Sequence, residues 1–238
     1  PDVKVVAFVH AETSTGVRNE AKLLCELAQK HNCLTIVDAV TSLGGIELDV
    51  DGWGIDAIYS GSQKCLSCVP GIAPVSFSDK AVSVIQNRQT KVQSWFLDMN
   101  LIVGYWGEGA KRAYHHTAPV NSMYAMYESL LVLKEEGLEN AWDRHASGHA
   151  KLAQGLEKIG LELTVNSDFR LPQLNVVQIP DGVDDAAVRS QLLNEFNLEI
   201  GAGLGEHAGK VWRIGLMGYA CKQRNIDHCI ASLKTVLK

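Results

Sequence analysis

No apolar run in the 238 residues approaches the ~20 that a membrane-spanning helix needs, so a helical span is excluded. Positive charge is not in excess either. Lys and Arg number 22 against 27 Asp and Glu, a formal net charge of −5, whereas a binder of nucleic-acid backbone would carry the opposite sign. No run of like charge is long enough to read as an interaction tail. The six cysteines lack framework spacing, which suits reduced thiols in a cytoplasmic setting rather than a disulfide-stapled secreted chain. Internal repeats and low-complexity segments are missing. No Met opens the sequence and no secretory pattern precedes its first apolar run, so it reads as amino-terminally truncated, with any organellar address lying upstream. Its last residues, Val236-Leu237-Lys238, are not a peroxisomal signal.

What is present is a globular pattern in which short apolar runs alternate with helical periodicity. Strands are expected over 3–9, 34–37, 56–60 and 72–77, with a helix over 18–31 whose Ala21, Leu24, Cys25 and Ala28 share one face. Strand, helix, strand at this spacing predicts an α/β fold with a mostly parallel sheet and helices on its faces. A helix over 121–135 carries Met123, Met126, Tyr127 and Leu130 at helical spacing, a stripe that reads as core. A second helix follows over 142–158. Beyond it the pattern changes: strands over 161–165, 174–179 and 211–214, helices over 184–196 and 224–237. Two domains result, residues 1–136 as the carboxy-terminal part of a large domain and 137–238 as a smaller α+β domain.

Open α/β sheets gather ligands at the carboxyl ends of their strands. Three polar clusters fall there: His10-Ala11-Glu12-Thr13-Ser14-Thr15-Gly16, Asp38-Ala39-Val40-Thr41-Ser42, and Ser60-Gly61-Ser62-Gln63-Lys64. Parallel strands would place Asp38 and Lys64 on one edge although they are distant in sequence. A buried Asp costs free energy unless it meets a positive partner. A lysine that is partly desolvated, or set beside another cation, becomes a usable nucleophile. Pyridoxal phosphate meets both needs, because its aldehyde condenses with a lysine amine while an Asp keeps its pyridine nitrogen protonated and the ring an electron sink. Thr13 and Gln63 would hydrogen-bond the ring substituents or phosphate, and Val40 would pack on one ring face. Singly, each residue has a plainer reading. Asp38 is then a turn or cap residue, Lys64 a solvated lysine, Thr13, Ser14 and Thr15 candidate helix caps, and Arg213 a surface arginine on a strand.

The three clusters, taken over 10–16, 37–45 and 59–66, resemble the alanine–glyoxylate and serine–pyruvate aminotransferase family of class V, within the fold-type I pyridoxal-phosphate enzymes. Tyr114-His115-His116-Thr117, Gly137-Leu138-Glu139-Asn140 and Trp212-Arg213-Ile214-Gly215-Leu216-Met217-Gly218 agree with it in order and spacing, so the resemblance covers essentially the whole chain. It implies a fold-type I transferase with pyridoxal 5'-phosphate as cofactor. By the same resemblance Lys64 is the Schiff-base lysine and proton shuttle, Asp38 the pyridinium partner, Val40 the ring-packing aliphatic, and Thr13 and Gln63 polar cofactor contacts. Tyr114 and Thr117 would reach the cofactor phosphate of a neighbouring subunit, which implies a homodimer. Arg213 would hold the substrate carboxylate, a task suited to a planar, bidentate guanidinium. The implied reaction moves an amino group from alanine or serine to glyoxylate or pyruvate. Relatives are longer at the amino end, where a phosphate-binding loop and a ring-stacking aromatic are expected.

Other patterns point elsewhere and fail. Gly201-Ala202-Gly203-Leu204-Gly205 is followed by Glu206, which breaks a dinucleotide fingerprint, and Gly209-Lys210-Val211 breaks a phosphate loop; the stretch reads as a flexible loop near the substrate entrance. Cys65 and Cys68 have metal-ligand spacing without a second pair, so no metal site is expected. Rival readings are another class V enzyme (a ureidoglycine, aminophosphonate or hydroxykynurenine transaminase) and a non-catalytic fragment. A cysteine desulfurase ranks below these, because Cys65 and Cys68 sit too near Lys64 to serve as a mobile nucleophile.

Overall fold

The computed structural model describes residues 2–106 and 113–238. Strands β1 (Val5–Val9), β2 (Ala11–Glu12) and β3 (Val17–Arg18) lead to helix α1 (Ala21–Lys30), followed by β4 (Leu34–Asp38), β5 (Ala57–Tyr59) and β6 (Val75–Phe77). Helices α2 (Asp79–Gln86), α3 (Met99–Trp106), α4 (Val120–Glu136) and α5 (Leu138–Lys158) come next. The chain closes with β7 (Leu174–Gln178), α6 (Asp185–Phe196), β8 (Gly201–Ala202), β9 (Val211–Gly215) and α7 (Gln223–Val236).

The larger sheet has the order β1-β4-β5-β6. Its first three strands are parallel, while β6 runs antiparallel to β5. The reversal has a local cause: the chain from Ser60 to Pro74 folds straight back, Ser60 N–H donating to Pro74 O and Ser62 N–H to Ile72 O, with no crossover helix to permit a parallel return. The alternation of side chains along these strands decides what each face meets. Thr35, Val37 and Ile58 point to one side and are buried with Cys25 of α1 and Ile55. The opposite face carries Val5, Ile36, Tyr59 and Val75, and stays open, with Ile36 38% and Val75 49% exposed. Parallel strands ordinarily need cover on both faces, and these residues supply it on one.

The smaller sheet, β7-β9-β8, is antiparallel. Its core is formed by Trp212, Val177, Ile214, Leu152, Leu156, Leu192 and Leu233, which join the sheet to α5, α6 and α7. Trp212 is wholly buried and spends its indole N–H on Asp185, whose carboxylate also takes both ends of the Arg189 fork.

Four expectations need correction. The cluster at 10–16 is a hairpin turn, not a helix cap: β2 pairs with β3, Gly16 takes φ +75°, and Ser14 bonds back to Glu12 through both its amide and its hydroxyl. That hairpin consumes Arg18, so α1 begins at Ala21. Residues 161–165 form no full strand. They lie beside β7 through a single bridge, Leu163 with Val177, made by the bonds from Gln178 N–H to Glu162 O and from Thr164 N–H to Val176 O. The stripe on α4 is not core: Met126 is buried, but Met123 is 52% and Tyr124 73% exposed, and Tyr127 and Leu130 are exposed beside them. The helix packs on the rest of the chain along one line, and most of its apolar surface faces outward.

Candidate active site

Three loops converge at the carboxyl ends of β1, β4 and β5, as the parallel register requires. Asp38 is the last residue of β4 and pairs with Val9 on one side and Tyr59 on the other. Its carboxylate is tied down twice, Oδ1 accepting from Val40 N–H at 2.8 Å and Oδ2 from the Tyr59 hydroxyl at 2.8 Å. The hydrogen bond to Asp38, with burial and the carboxylate's charge, in turn holds the Tyr59 phenol above its ordinary pKa. Asp38 and Tyr59 both lie on the open face of the sheet, which is where a flat ligand has room.

The lysine loop is set against this carboxylate from the next strand. Ser60, buried at the end of β5, donates its hydroxyl to Ala39 O at 2.9 Å, and Ala39 N–H reaches Tyr59 O. Gly61 then permits a close approach: a Cβ there would meet Gln63 Oε1 at 2.9 Å and Val40 Cγ1 at 3.4 Å. Val40 and Gln63, widely separated in sequence, are therefore neighbours around one glycine. Lys64 follows, partly buried, its carbonyl accepting from Ser67 N–H. None of the ion pairs among the described residues engages its ammonium.

Arg213 arrives from the smaller sheet. It sits mid-strand in β9, half-buried, with Nε donating to Ala202 O at 2.7 Å and Nη1 to Thr13 O at 3.1 Å. The second bond spans 200 positions of sequence and ties the guanidinium to the first of the three clusters. Thr13 thus meets Arg213 through its carbonyl. The 201–205 stretch is not a flexible loop: Gly201 and Ala202 form β8, paired with Arg213 and Trp212, and Ala202 orients the guanidinium. Tyr114 and Thr117 stand apart from this group. They contact one another through their hydroxyls and are exposed, Tyr114 at 76%, in the irregular segment that leads into α4.

The donor set fits pyridoxal phosphate. An anchored carboxylate on an open sheet face suits a protonated ring nitrogen, an aliphatic side chain two residues on suits a ring face, and a partly buried amine from the adjacent strand suits the aldehyde. The thiols nearby do not compete. Burial pushes the Cys65 thiol up to about 12, and all six cysteines are unpaired. No group of His, Cys, Asp or Glu among the described residues is arranged to hold a metal ion. Sequence reasoning missed Tyr59, because its role follows from strand register rather than from any motif.

The fold is that of the fold-type I class. The family model for aminotransferase class V matches residues 1–228, and the chain belongs to that family. It is 42% identical over 233 residues to the alanine–glyoxylate aminotransferase of Rattus norvegicus, covering 97% of this chain and 56% of the relative. It is 38% identical over 252 residues to the (S)-ureidoglycine–glyoxylate transaminase of Bacillus subtilis, covering 98% of this chain and 60% of that one. A solved alanine–glyoxylate aminotransferase from Nostoc sp. superposes with a TM-score of 0.95 at 50% identity, over 98% of this chain and 62% of that structure. The chain therefore spans little more than half the length of the relatives it matches.

Proposed function

We propose that the whole protein is a pyridoxal-phosphate aminotransferase that moves the amino group of a small amino acid, alanine or serine, to glyoxylate or pyruvate. The observation that carries this is the convergence of Asp38, Lys64 and the Thr13–Arg213 contact at one sheet edge. The bound cofactor supplies the aldehyde and an electron-withdrawing ring. Asp38, fixed by Val40 and Tyr59, would keep the ring nitrogen protonated. Val40 would pack against the ring, and Gln63 and Thr13 would supply polar contacts to its substituents. Lys64 would hold the cofactor through its amine and would move the proton at the substrate α-carbon. Arg213, already oriented by Ala202 and Thr13, receives the substrate carboxylate.

Two structural features support a homodimer: the outward apolar surface of α4 around Val120, Met123, Tyr124 and Tyr127, and the exposed Tyr114–Thr117 pair, which would meet the partner's cofactor phosphate. Gly137, at φ +87° between α4 and α5, is a natural boundary between domains 1–136 and 137–238. Six unpaired cysteines suit a reducing, cytoplasmic compartment. The ureidoglycine reading is the second one, favoured by the near-equal match to the Bacillus subtilis relative. Steady-state kinetics test the proposal. Alanine varied at several glyoxylate concentrations should give parallel double-reciprocal lines, as two successive half-reactions require, and intersecting lines would refute it. Alanine inactive while ureidoglycine is consumed would favour the second reading.

A further inference from the structure

The turn that follows β9, five residues beyond Arg213, rests directly on the lysine loop. Gly218 adopts φ +53°, and a Cβ at that position would strike Ser67 Oγ and stand 2.8 Å from Cys65 O, the carbonyl next to Lys64. The next amide, Tyr219 N–H, donates to Ser67 Oγ at 2.8 Å. Both backbone polar groups of Gly218 are claimed from the other side by α5. Its N–H donates to His145 Nε2 at 2.9 Å, and its carbonyl accepts from Arg144 Nη1 at 2.5 Å. His145 is wholly buried and places its other ring nitrogen 2.6 Å from Ala141 O, which fixes Nδ1 as the donor and Nε2 as the acceptor. The remaining nitrogens of Arg144 fork onto Glu136 at the end of α4, at 2.5 and 2.9 Å.

We propose that Arg144 and His145 are positioning residues that latch the turn after β9 to the lysine loop, and so set the distance between the substrate's carboxylate anchor and the amine that moves its proton. The inference rests on reading Arg213 and Lys64 as that anchor and that amine. Neither latch residue touches substrate or cofactor; each acts through Gly218. The arrangement is rigid on physical grounds. A glycine is needed because its φ is positive and no side chain fits against Cys65. Its N–H and C=O are both satisfied by side chains of one helix turn, and Glu136 fixes the guanidinium in one orientation. Burial holds the His145 imidazole below its ordinary pKa, which keeps it neutral and able to accept. An error of about 1 Å in such a placement can cost about 10²-fold in rate.

Amide hydrogen exchange on the full chain tests the latch, with His145→Leu and Arg144→Met to break it and His145→Gln to keep an acceptor near the Nε2 position. Peptides over 62–69 and over 213–221 should lose protection together, by about tenfold or more, while peptides over β4 keep theirs; His145→Gln should restore most of the loss. In the holoenzyme the two disabling variants should lower kcat by about 10²-fold with little change in KM for the amino donor. Retained protection over 62–69 in both disabling variants, loss spread evenly over the chain, or a raised KM at unchanged kcat would each overturn the proposal. Covalent labelling of Lys64 decides the underlying assignment separately, so failure of either is seen on its own.

Discussion

Asp38 illustrates how one carboxylate is prepared for a cation. Each oxygen already accepts one hydrogen bond, from Val40 N–H and from the Tyr59 hydroxyl, so the group is oriented before a ligand arrives. Replacing it by Asn keeps the shape and removes the charge. Asp38→Asn should slow amino transfer by about 10²-fold or more, the scale of losing one preorganised electrostatic partner, with the Tyr59 phenol returning toward its ordinary pKa in a spectrophotometric titration. His10 makes a prediction about pH. It is 3% exposed, lies edge-on to Trp53, and burial with the Arg18 charge lowers its pKa from 6.5 to about 4. The folded state keeps the imidazole neutral while the unfolded chain protonates near 6.5, so this stability is present above 6.5 and drains as pH falls toward 4. At about 1.4 kcal/mol per pKa unit, the loss is on the order of 3 kcal/mol. Urea melts between pH 7.5 and 4.5 should show the decline, and His10→Gln should flatten it. The placement of Asp38 and Lys64 at neighbouring strand ends was legible in the sequence because polar clusters end apolar runs, while their roles came from the family resemblance; the contact of Tyr59 with Asp38 was not legible, because only the β4–β5 register puts them side by side.

At the scale of elements, β9 does two jobs with alternate residues. Trp212 points into the core of the smaller sheet, and Arg213 points toward the Thr13 turn. Trp212→Ala should therefore destabilise the fold by about 3–5 kcal/mol, measured by thermal or urea unfolding. The 10–16 segment shows where local reading fails. Thr13, Ser14 and Thr15 have helix-cap chemistry, yet the Glu12 carboxylate and the turn at Gly16 bind that chemistry into a hairpin. Helix α2 was missed although its signal is local: Ser78 accepts from Ala81 N–H, and Asp79 opens the first turn. The Met and aromatic stripe of α4 was legible as apolar but not as outward-facing, since periodicity says which residues share a face and not what covers it.

For the molecule as a whole, the alternation of strand and helix gave the mostly parallel sheet, and the change of pattern after Gly137 gave the smaller sheet. The open face of the larger sheet was not visible in the sequence, because buried parallel strands are apolar on both sides whether or not the cover is present. That face carries Asp38, and the described residues leave its apolar side chains Val5, Ile36 and Val75 exposed. The exposed surface of α4 predicts self-association: sedimentation should show a dimer, and Tyr124→Asp with Tyr127→Asp should give a monomer. The most direct measurement is absorbance of the chain with pyridoxal phosphate before and after borohydride, beside Lys64→Ala, with the reduced adduct located by mass spectrometry. The account predicts a band that reduction fixes on Lys64 and that the variant lacks. Adducts scattered over surface lysines, with an equal band in Lys64→Ala, would contradict it.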